Sequence, residues 1–111
     1  MKRHPKPGEG AGRPPTTGPV VIRLYIAGGA PNSVRAIANL GSICDEYLKG
    51  NYELEIIDIL QQPLRALVDG VLITPTLAKV SPQPATRVVG NLSEKSDVLR
   101  ALGLTEKRDE I

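Results

Sequence analysis

Two strand patterns separated by one helix pattern limit the folds that are open to this chain. The sequence VVIRLYIA, residues 20–27, is rich in β-branched and aromatic residues and stops at two glycines. The sequence YELEIIDIL, residues 52–60, alternates polar and apolar residues and then becomes wholly apolar. Between them, Lys49 and Gly50 supply the cation and the C-cap residue that typically end a helix. This β–α–β unit predicts two parallel strands joined by a right-handed crossover.

The helix between the two strands carries an apolar stripe. Asn32 or Ser33 can cap its first turn, since short polar side chains accept hydrogen bonds from the free N–H groups there. Apolar or small residues then recur at the i, i+3 and i+4 spacing that places side chains on one helix face. We expect this face to be buried; it consists of Val34, Ile37, Ala38, Gly41, Cys44 and Leu48.

The segment that follows the second strand allows two interpretations. Pro63 suits the first position of a helix, and PLRALVDG could form two turns that Gly70 ends. Residues 64–73 can also be extended, because they are few, mostly apolar and without decisive periodicity. The sequence alone leaves both alternatives open.

The last third of the chain predicts a hairpin and a helix. TPTLAKV (74–80) and RVVG (87–90) read as two antiparallel strands, joined by the proline-containing link SPQPAT. Ser93 can cap a final helix, and Gly103 can end it. The predicted order is therefore β–α–β–α–β–β–α in an α/β fold.

Pro75 is unusual because proline cannot donate to a sheet ladder. The predicted element order is the thioredoxin-like order, in which a cis proline preceded by a small polar residue opens the hairpin strand. This likeness implies a cis Thr74–Pro75 bond. At the start of a strand, Pro75 costs no ladder hydrogen bond.

The residues that would carry redox chemistry are missing from the expected loop. A thioredoxin-type enzyme has a Cys-x-x-Cys pair at a helix N-terminus, whereas AGGAPNS, residues 27–33, contains no sulfur. Cys44 is the single cysteine, and its place on the apolar helix face predicts an inert buried thiol. His4 is the single histidine and lies near the start of the chain. We therefore predict no catalytic residue, metal site or cofactor; a thioredoxin-like oxidoreductase that depends on Cys44 is the alternative.

The basic character of the chain is confined to its first residues. The formal net charge is +2, but Lys2, Arg3, Lys6 and Arg13 are opposed there by Glu9 alone. The rest is close to neutral and lacks the clustered cations of a nucleic-acid binder. Three tyrosines, with no Phe or Trp, also leave little aromatic surface for stacking on bases. We predict no nucleic-acid partner.

The sequence predicts one domain with two tails. Residues 1–19 hold five of the ten prolines, which predicts a disordered Pro/Gly-rich basic tail. Residues 20–104 form the domain, and residues 105–111 form a short C-terminal tail. Because the early apolar run at residues 20–22 is too short for a signal peptide or a membrane span, we predict a cytoplasmic protein without a membrane partner.

Four motifs give this chain a family resemblance. They are RLYIAGGAPNSVRAIANL (23–40), IIDIL (56–60), TPTLAKV (74–80) and RVVGNLS (87–93). Together they closely resemble the KaiB family of bacterial clock proteins, and the match runs from about residue 20 to residue 104 without an obvious gap. The match is highly specific, because Gly-x-x-Pro-Asn-Ser-Val-Arg and Thr-Pro-Thr-Leu-Ala-Lys-Val stand at matching separations, which chance does not readily give.

The resemblance implies a binding protein rather than an enzyme. Its partner would be the ring-forming ATPase KaiC, whose phosphorylation or ATPase cycle it would modulate, and in complete clocks also KaiA and a histidine kinase. Family members occupy two folds, a thioredoxin-like monomer that binds KaiC and an often tetrameric ground state with a rebuilt second half. The resemblance therefore implies fold switching and leaves a dimer or tetramer open.

Five residues that match family motifs are candidates for partner contact or switching. Arg35, Lys79 and Arg87 can form charged contacts, with solvated surface or salt bridges within an oligomer as the alternative. Gly90 and Asn91 lie at the junction before the last helix, where a glycine can act as a hinge.

The chain also departs from the family pattern. The family commonly has Asp in place of Asn91 and lysines in place of Glu55 and Gly70, and its acidic C-terminal tail is longer. Glu55 reverses a charge on the strand implicated in KaiA binding, which argues against a KaiA partner. A stand-alone relative of the KaiB-like sensor domain of clock histidine kinases, acting on such a kinase, is the remaining alternative.

Overall fold

The computed structural model describes residues 18–104. The predicted tails, residues 1–19 and 105–111, lie outside these residues apart from Gly18 and Pro19, so their extents stay predictions. The elements are β1 (Val20–Ile26), α1 (Pro31–Ile43), a π-helical segment (Cys44–Leu48), β2 (Tyr52–Asp58), α2 (Pro63–Asp69), β3 (Thr76–Ser81), β4 (Thr86–Val89) and α3 (Lys95–Leu102). This order confirms the predicted α/β class.

The strands form one four-stranded sheet in the order β2-β1-β3-β4. β1 and β2 are parallel, with Val20 opposite Tyr52 and Ile26 opposite Asp58, as the β–α–β unit predicted. β3 is antiparallel to β1 and to β4. The predicted hairpin is therefore correct, and Pro75 immediately precedes its first strand.

The two faces of the sheet are covered unequally. One face carries Ile22, Leu24 and Leu77, and buried side chains of α1 and α3 pack against it. The opposite face carries Tyr25, Ile57 and Ala78, which meet only Ala66 and Val71 as buried partners from α2 and the turn after it. Because apolar burial provides most of the stabilising free energy, α2 is held far less firmly than α1 and α3.

The predicted apolar stripe of α1 is partly wrong. Cys44 and Leu48 are buried as expected, but Val34 and Ile37 are exposed. The buried positions within the α-helical part are instead Ser33, Ala36, Leu40 and Ile43.

The start of α1 explains this error. The helix begins at Pro31, so neither Asn32 nor Ser33 is its cap. The Ser33 hydroxyl instead faces inward and accepts a hydrogen bond from the Ala27 N–H at 3.0 Å. A polar side chain satisfied in this way can be buried, and the buried stripe is displaced from the one that hydrophobicity alone predicts.

The other helix boundaries follow the predicted turn chemistry more closely. α2 begins at Pro63 and ends at Gly70, whose φ of 71° is left-handed, so the helical alternative for this segment is the observed one. α3 ends at Gly103 with φ 78°, but its N-cap is Glu94 instead of the predicted Ser93. Among residues 18–104, no helix has the length and apolar character needed to cross a membrane.

Candidate partner-binding surface

An exposed apolar surface lies on α2 and the turn that follows it. We define the α2 surface as Leu64, Leu67, Val68, Leu72 and Ile73. Val68 and Leu72 are 80% and 90% exposed, and the other three are also well exposed. Leu64, Leu67 and Val68 have the spacing that places side chains on one helix face. Grouped apolar exposure of this kind is typical of interaction sites.

Asp69 anchors the end of α2 to the sheet. Its Oδ2 accepts hydrogen bonds from the Tyr25 hydroxyl at 2.7 Å and from Arg65 Nε at 3.2 Å. Arg23 Nη1 lies 3.7 Å from the same oxygen. The Tyr25 hydroxyl bond, supported by the two arginines, lowers the pKa of the Asp69 carboxyl. Burial and the nearby Asp69 carboxylate raise the pKa of Tyr25.

Glu55 completes the same polar cluster from β2. Arg65 donates to its carboxylate through Nη2 at 2.8 Å and Nη1 at 3.0 Å, the bidentate geometry that suits arginine. Arg23 Nε lies 3.7 Å from Glu55 Oε1. These arginines lower the pKa of Glu55, with the Arg65 hydrogen bonds as the main cause. The residue that departs from the family pattern therefore has a local partner.

Arg87 connects β4 to the C-terminal end of α2. Its Nη1 donates to the Gly70 carbonyl at 3.0 Å, and its Nη2 donates to the Asp69 carbonyl. A cation at this position complements the negative end of the helix dipole. Arg87 is therefore exposed to solvent while it holds the end of α2.

Gly90 and Asn91 form a constrained junction between β4 and α3. Gly90 has φ 118° and donates its N–H to the Pro75 carbonyl at 2.9 Å. The Asn91 carbonyl accepts a hydrogen bond from Asn39 Nδ2 at 2.8 Å. Leu92 is buried with φ 64°, a left-handed conformation that is strained for a leucine.

The structure separates the five predicted candidates into three locations. Gly90 and Asn91 follow β4 directly, and Arg87 reaches from β4 to α2. Arg35 is exposed on α1, one turn beyond Asn32, whose Oδ1 lies 3.5 Å from Asn91 Nδ2. Lys79 is on the sheet face that α1 and α3 cover, opposite to α2, and is only 4% exposed. The Thr74–Pro75 bond is cis.

The alternative of a thiol-based enzyme finds no support at Cys44. Its side chain is fully buried, and burial raises the pKa of the thiol to about 11. Within residues 18–104, no group of three or more His, Cys, Asp or Glu side chains is arranged to hold a metal ion.

Sequence reasoning missed the α2 surface and the polar cluster below it. The spacing of Leu64, Leu67 and Val68 was a usable signal for a helix face, as was the i, i+4 pair of Arg65 and Asp69. Neither pattern indicates whether the apolar face is buried, because that depends on what else covers the sheet.

Comparison with known proteins places residues 23–104 in one family. The KaiB domain profile matches residues 23–104. The circadian clock oscillator protein KaiB of Thermostichus vulcanus is 49% identical over 84 residues, which cover 76% of this chain and 78% of that protein. KaiB of Microcystis aeruginosa is 48% identical over 84 residues, 76% of this chain and 81% of that protein.

Solved structures show the fold of the domain independently. The N-terminal domain of Synechococcus elongatus SasA superposes with a TM-score of 0.65 at 18% identity, covering 87% of this chain and 95% of that domain. Fasciola hepatica thioredoxin gives a TM-score of 0.63 at 14% identity, covering 80% and 84%. The fold is thus thioredoxin-like, and the predicted resemblance is confirmed: by sequence the chain belongs to the KaiB family of circadian clock proteins.

Proposed function

We propose that this protein binds a KaiC-type ring ATPase through the α2 surface and thereby modulates the phosphorylation or ATPase cycle of that ring. The observation that carries the proposal is the exposure of five apolar side chains on α2 and the turn after it. Fully burying one such side chain contributes roughly 1.5–3 kcal/mol. A partner that covered this surface would recover stabilisation that the isolated domain lacks.

The charged residues beside this surface suit a protein interface. Arg65 lies in the first turn of α2, and Arg87 reaches the C-terminal end of α2 from β4. Arginine is enriched among the residues that dominate the binding energy of protein interfaces. Both are held by carboxylate or carbonyl partners, so little side-chain freedom is lost on binding. An apolar centre with ordered arginines at its edge is a typical arrangement of such interfaces.

The weak attachment of α2 supports regulation by fold switching. α2 buries only Ala66 along its own length and is otherwise held by the Asp69 cluster and Arg87. Two arrangements of the second half then need differ by only a few kcal/mol. A ring that binds the thioredoxin-like arrangement would shift the population toward it by its differential affinity.

Co-elution with an ATP-loaded KaiC ring in size-exclusion chromatography tests the proposal. We expect the wild-type chain to co-elute, and the double variant Leu67→Asp/Val68→Asp to lose affinity by at least about tenfold, since charges would replace the buried centre of the interface. Val34→Asp is the matched control, because Val34 is also exposed but lies on α1.

Two results would contradict the proposal. If the wild-type chain never co-elutes with the ring, KaiC is not its partner. If the α2 double variant and Val34→Asp bind equally well, the partner uses a different surface.

The two alternatives are less well supported. An oxidoreductase would need a reactive thiol, and Cys44 is buried with a raised pKa. A sensor-like domain acting on a histidine kinase rests on the fold alone, whereas identity of 49% to KaiB favours the KaiB-type function. A KaiA partner stays disfavoured, since Glu55 is negative and engaged with Arg65.

A further inference from the structure

A cavity of about 420 Å³ lies between the β3–β4 connection and the C-terminal end of α3, on the sheet face away from α2. Its walls are mainly apolar and include Val20, Leu48, Pro82, Pro84, Leu102 and Leu104. This volume falls within the range of small-molecule sites, which are concave, mostly apolar and fitted with a few polar groups.

Lys79 brings the only charged side chain among the described residues that line this cavity. It lies opposite Ile22 in the β1–β3 register, so its side chain is on the same face as the main core. Its Nζ lies 3.6 Å from the point where a side chain on Gly103 would begin, and Gly103 is itself part of the cavity wall. The ammonium is therefore directed toward the cavity.

The Lys79 ammonium lacks a partner in the part of the chain that the structure describes. The residue is 4% exposed, and none of residues 18–104 forms a hydrogen bond or salt bridge with Nζ. Since none of the fully buried side-chain nitrogens in these residues lacks a partner, Nζ keeps contact with solvent through the cavity. The nearby C-terminal end of α3 offers the negative end of a helix dipole, which favours a cation there. A dipole does not replace a hydrogen-bond acceptor, so the ammonium can still pair with an anion that enters the cavity.

We propose that this cavity is a binding site for a small apolar carboxylate, whose anionic group pairs with Lys79 and whose hydrocarbon part lies against the apolar walls. One ammonium matches one negative charge. A phosphate monoester would leave a second charge buried without a cation, since the described lining residues offer no other. A neutral lipid would leave the ammonium unpaired, so charge complementarity selects the monoanion.

Titration of the full chain with decanoate tests the site. Calorimetry and backbone NMR would show saturable binding, with shifts at Gly103, Leu104 and Tyr47. Lys79→Met should weaken decanoate binding by at least about tenfold, because it removes a charge-assisted hydrogen bond while preserving side-chain length. Arg35→Met is the charge-matched control and should bind decanoate like the wild type, since Arg35 is exposed on α1 and does not line the cavity.

A second variant and two ligands separate this site from general hydrophobic binding. Leu104→Trp keeps the lysine but narrows the cavity, so it should also weaken decanoate binding. If Lys79→Met fails to fold, decanoate binding by Leu104→Trp tests the site instead. Decanol and decyltrimethylammonium should bind more weakly than decanoate. Absent saturation in the wild type, equal binding of all three ligands, or unchanged binding in the folded variants would overturn the proposal.

Discussion

At the scale of residues, Asp69 joins three parts of the molecule. Its carboxylate is bonded to Tyr25 of β1 and to Arg65 of its own helix, while its carbonyl accepts from Arg87 of β4. Sequence spacing could predict only the Arg65 contact, because it is local. The bonds to Tyr25 and Arg87 span 44 and 18 residues and depend on the strand order, which no local pattern encodes.

The lowered pKa of Asp69 predicts an acid-sensitive attachment of α2. A carboxyl whose pKa is depressed by folding stabilises the fold above its ordinary value of about 3.9, and this contribution is lost as the pH falls toward the folded-state pKa. Asp69→Asn should therefore lower the unfolding free energy by about 1–2 kcal/mol at pH 7 and flatten its dependence on acid. Urea unfolding at neutral and acidic pH measures both effects.

Asp97→Asn is the control for this prediction. Asp97 is an exposed carboxylate paired with Arg100 on α3, so its replacement should change stability little. Equal acid sensitivity of Asp69→Asn and the wild type would show that the Asp69 carboxylate does not hold α2.

At the scale of elements, the sequence predicted where helices end more accurately than which of their side chains are buried. Pro63, Gly70 and Gly103 act at helix ends through backbone geometry, which is a property of the residue itself. The buried stripe of α1 was mispredicted because the Ser33 hydroxyl finds a backbone partner in Ala27. The extended alternative for residues 64–73 could not be excluded, since their apolar side chains remain largely exposed and no buried face distinguishes the two conformations.

Two glycines offer a matched test of the helix assignments. Gly41 lies within α1 and Gly70 ends α2 with φ 71°, and an added Cβ would meet no atom within 4 Å at either position. Gly41→Ala should stabilise the protein by about 0.5–1 kcal/mol, since alanine favours a helix interior. Gly70→Ala should destabilise it by roughly 1 kcal/mol, because alanine disfavours left-handed backbone.

Thermal or urea unfolding of the two variants measures this difference. The same Gly→Ala change should raise the unfolding free energy at one position and lower it at the other, which composition alone does not predict. If Gly70→Ala is as stable as the wild type, α2 does not end in the left-handed conformation described.

At the scale of the whole molecule, the helices on the two faces of the sheet are attached with unequal strength. α1 and α3 pack against one sheet face around the main apolar core, whereas α2 and the turn after it cover the other face through two buried residues and a polar cluster. The element order, and with it the thioredoxin-like fold, could be predicted from periodicity and turn residues. The unequal strength of the layers could not, because it depends on which residues meet across the sheet.

The junction at Gly90 should affect the arrangement as a whole. Its φ of 118° is unfavourable for other residues, although an added Cβ would meet no atom within 4 Å. Gly90→Ala should therefore disfavour the described arrangement by about 1 kcal/mol or more and reduce the fraction that co-elutes with a KaiC ring. Gly29→Ala, at an exposed position without such a φ, is the control. Unchanged ring binding of Gly90→Ala would count against a hinge here.

The complete burial of Cys44 gives the protein an internal reporter. The chain has one cysteine, which directly follows α1 and is buried in the main core that α1, α3 and the sheet share. A thiol reagent can reach the Cys44 side chain only when this core opens. The labelling rate therefore follows opening of the sheet face that α1 and α3 cover, and it is insensitive to movements confined to α2. Movement confined to α2 can therefore be distinguished from opening of the main core in the native sequence, without introducing a probe.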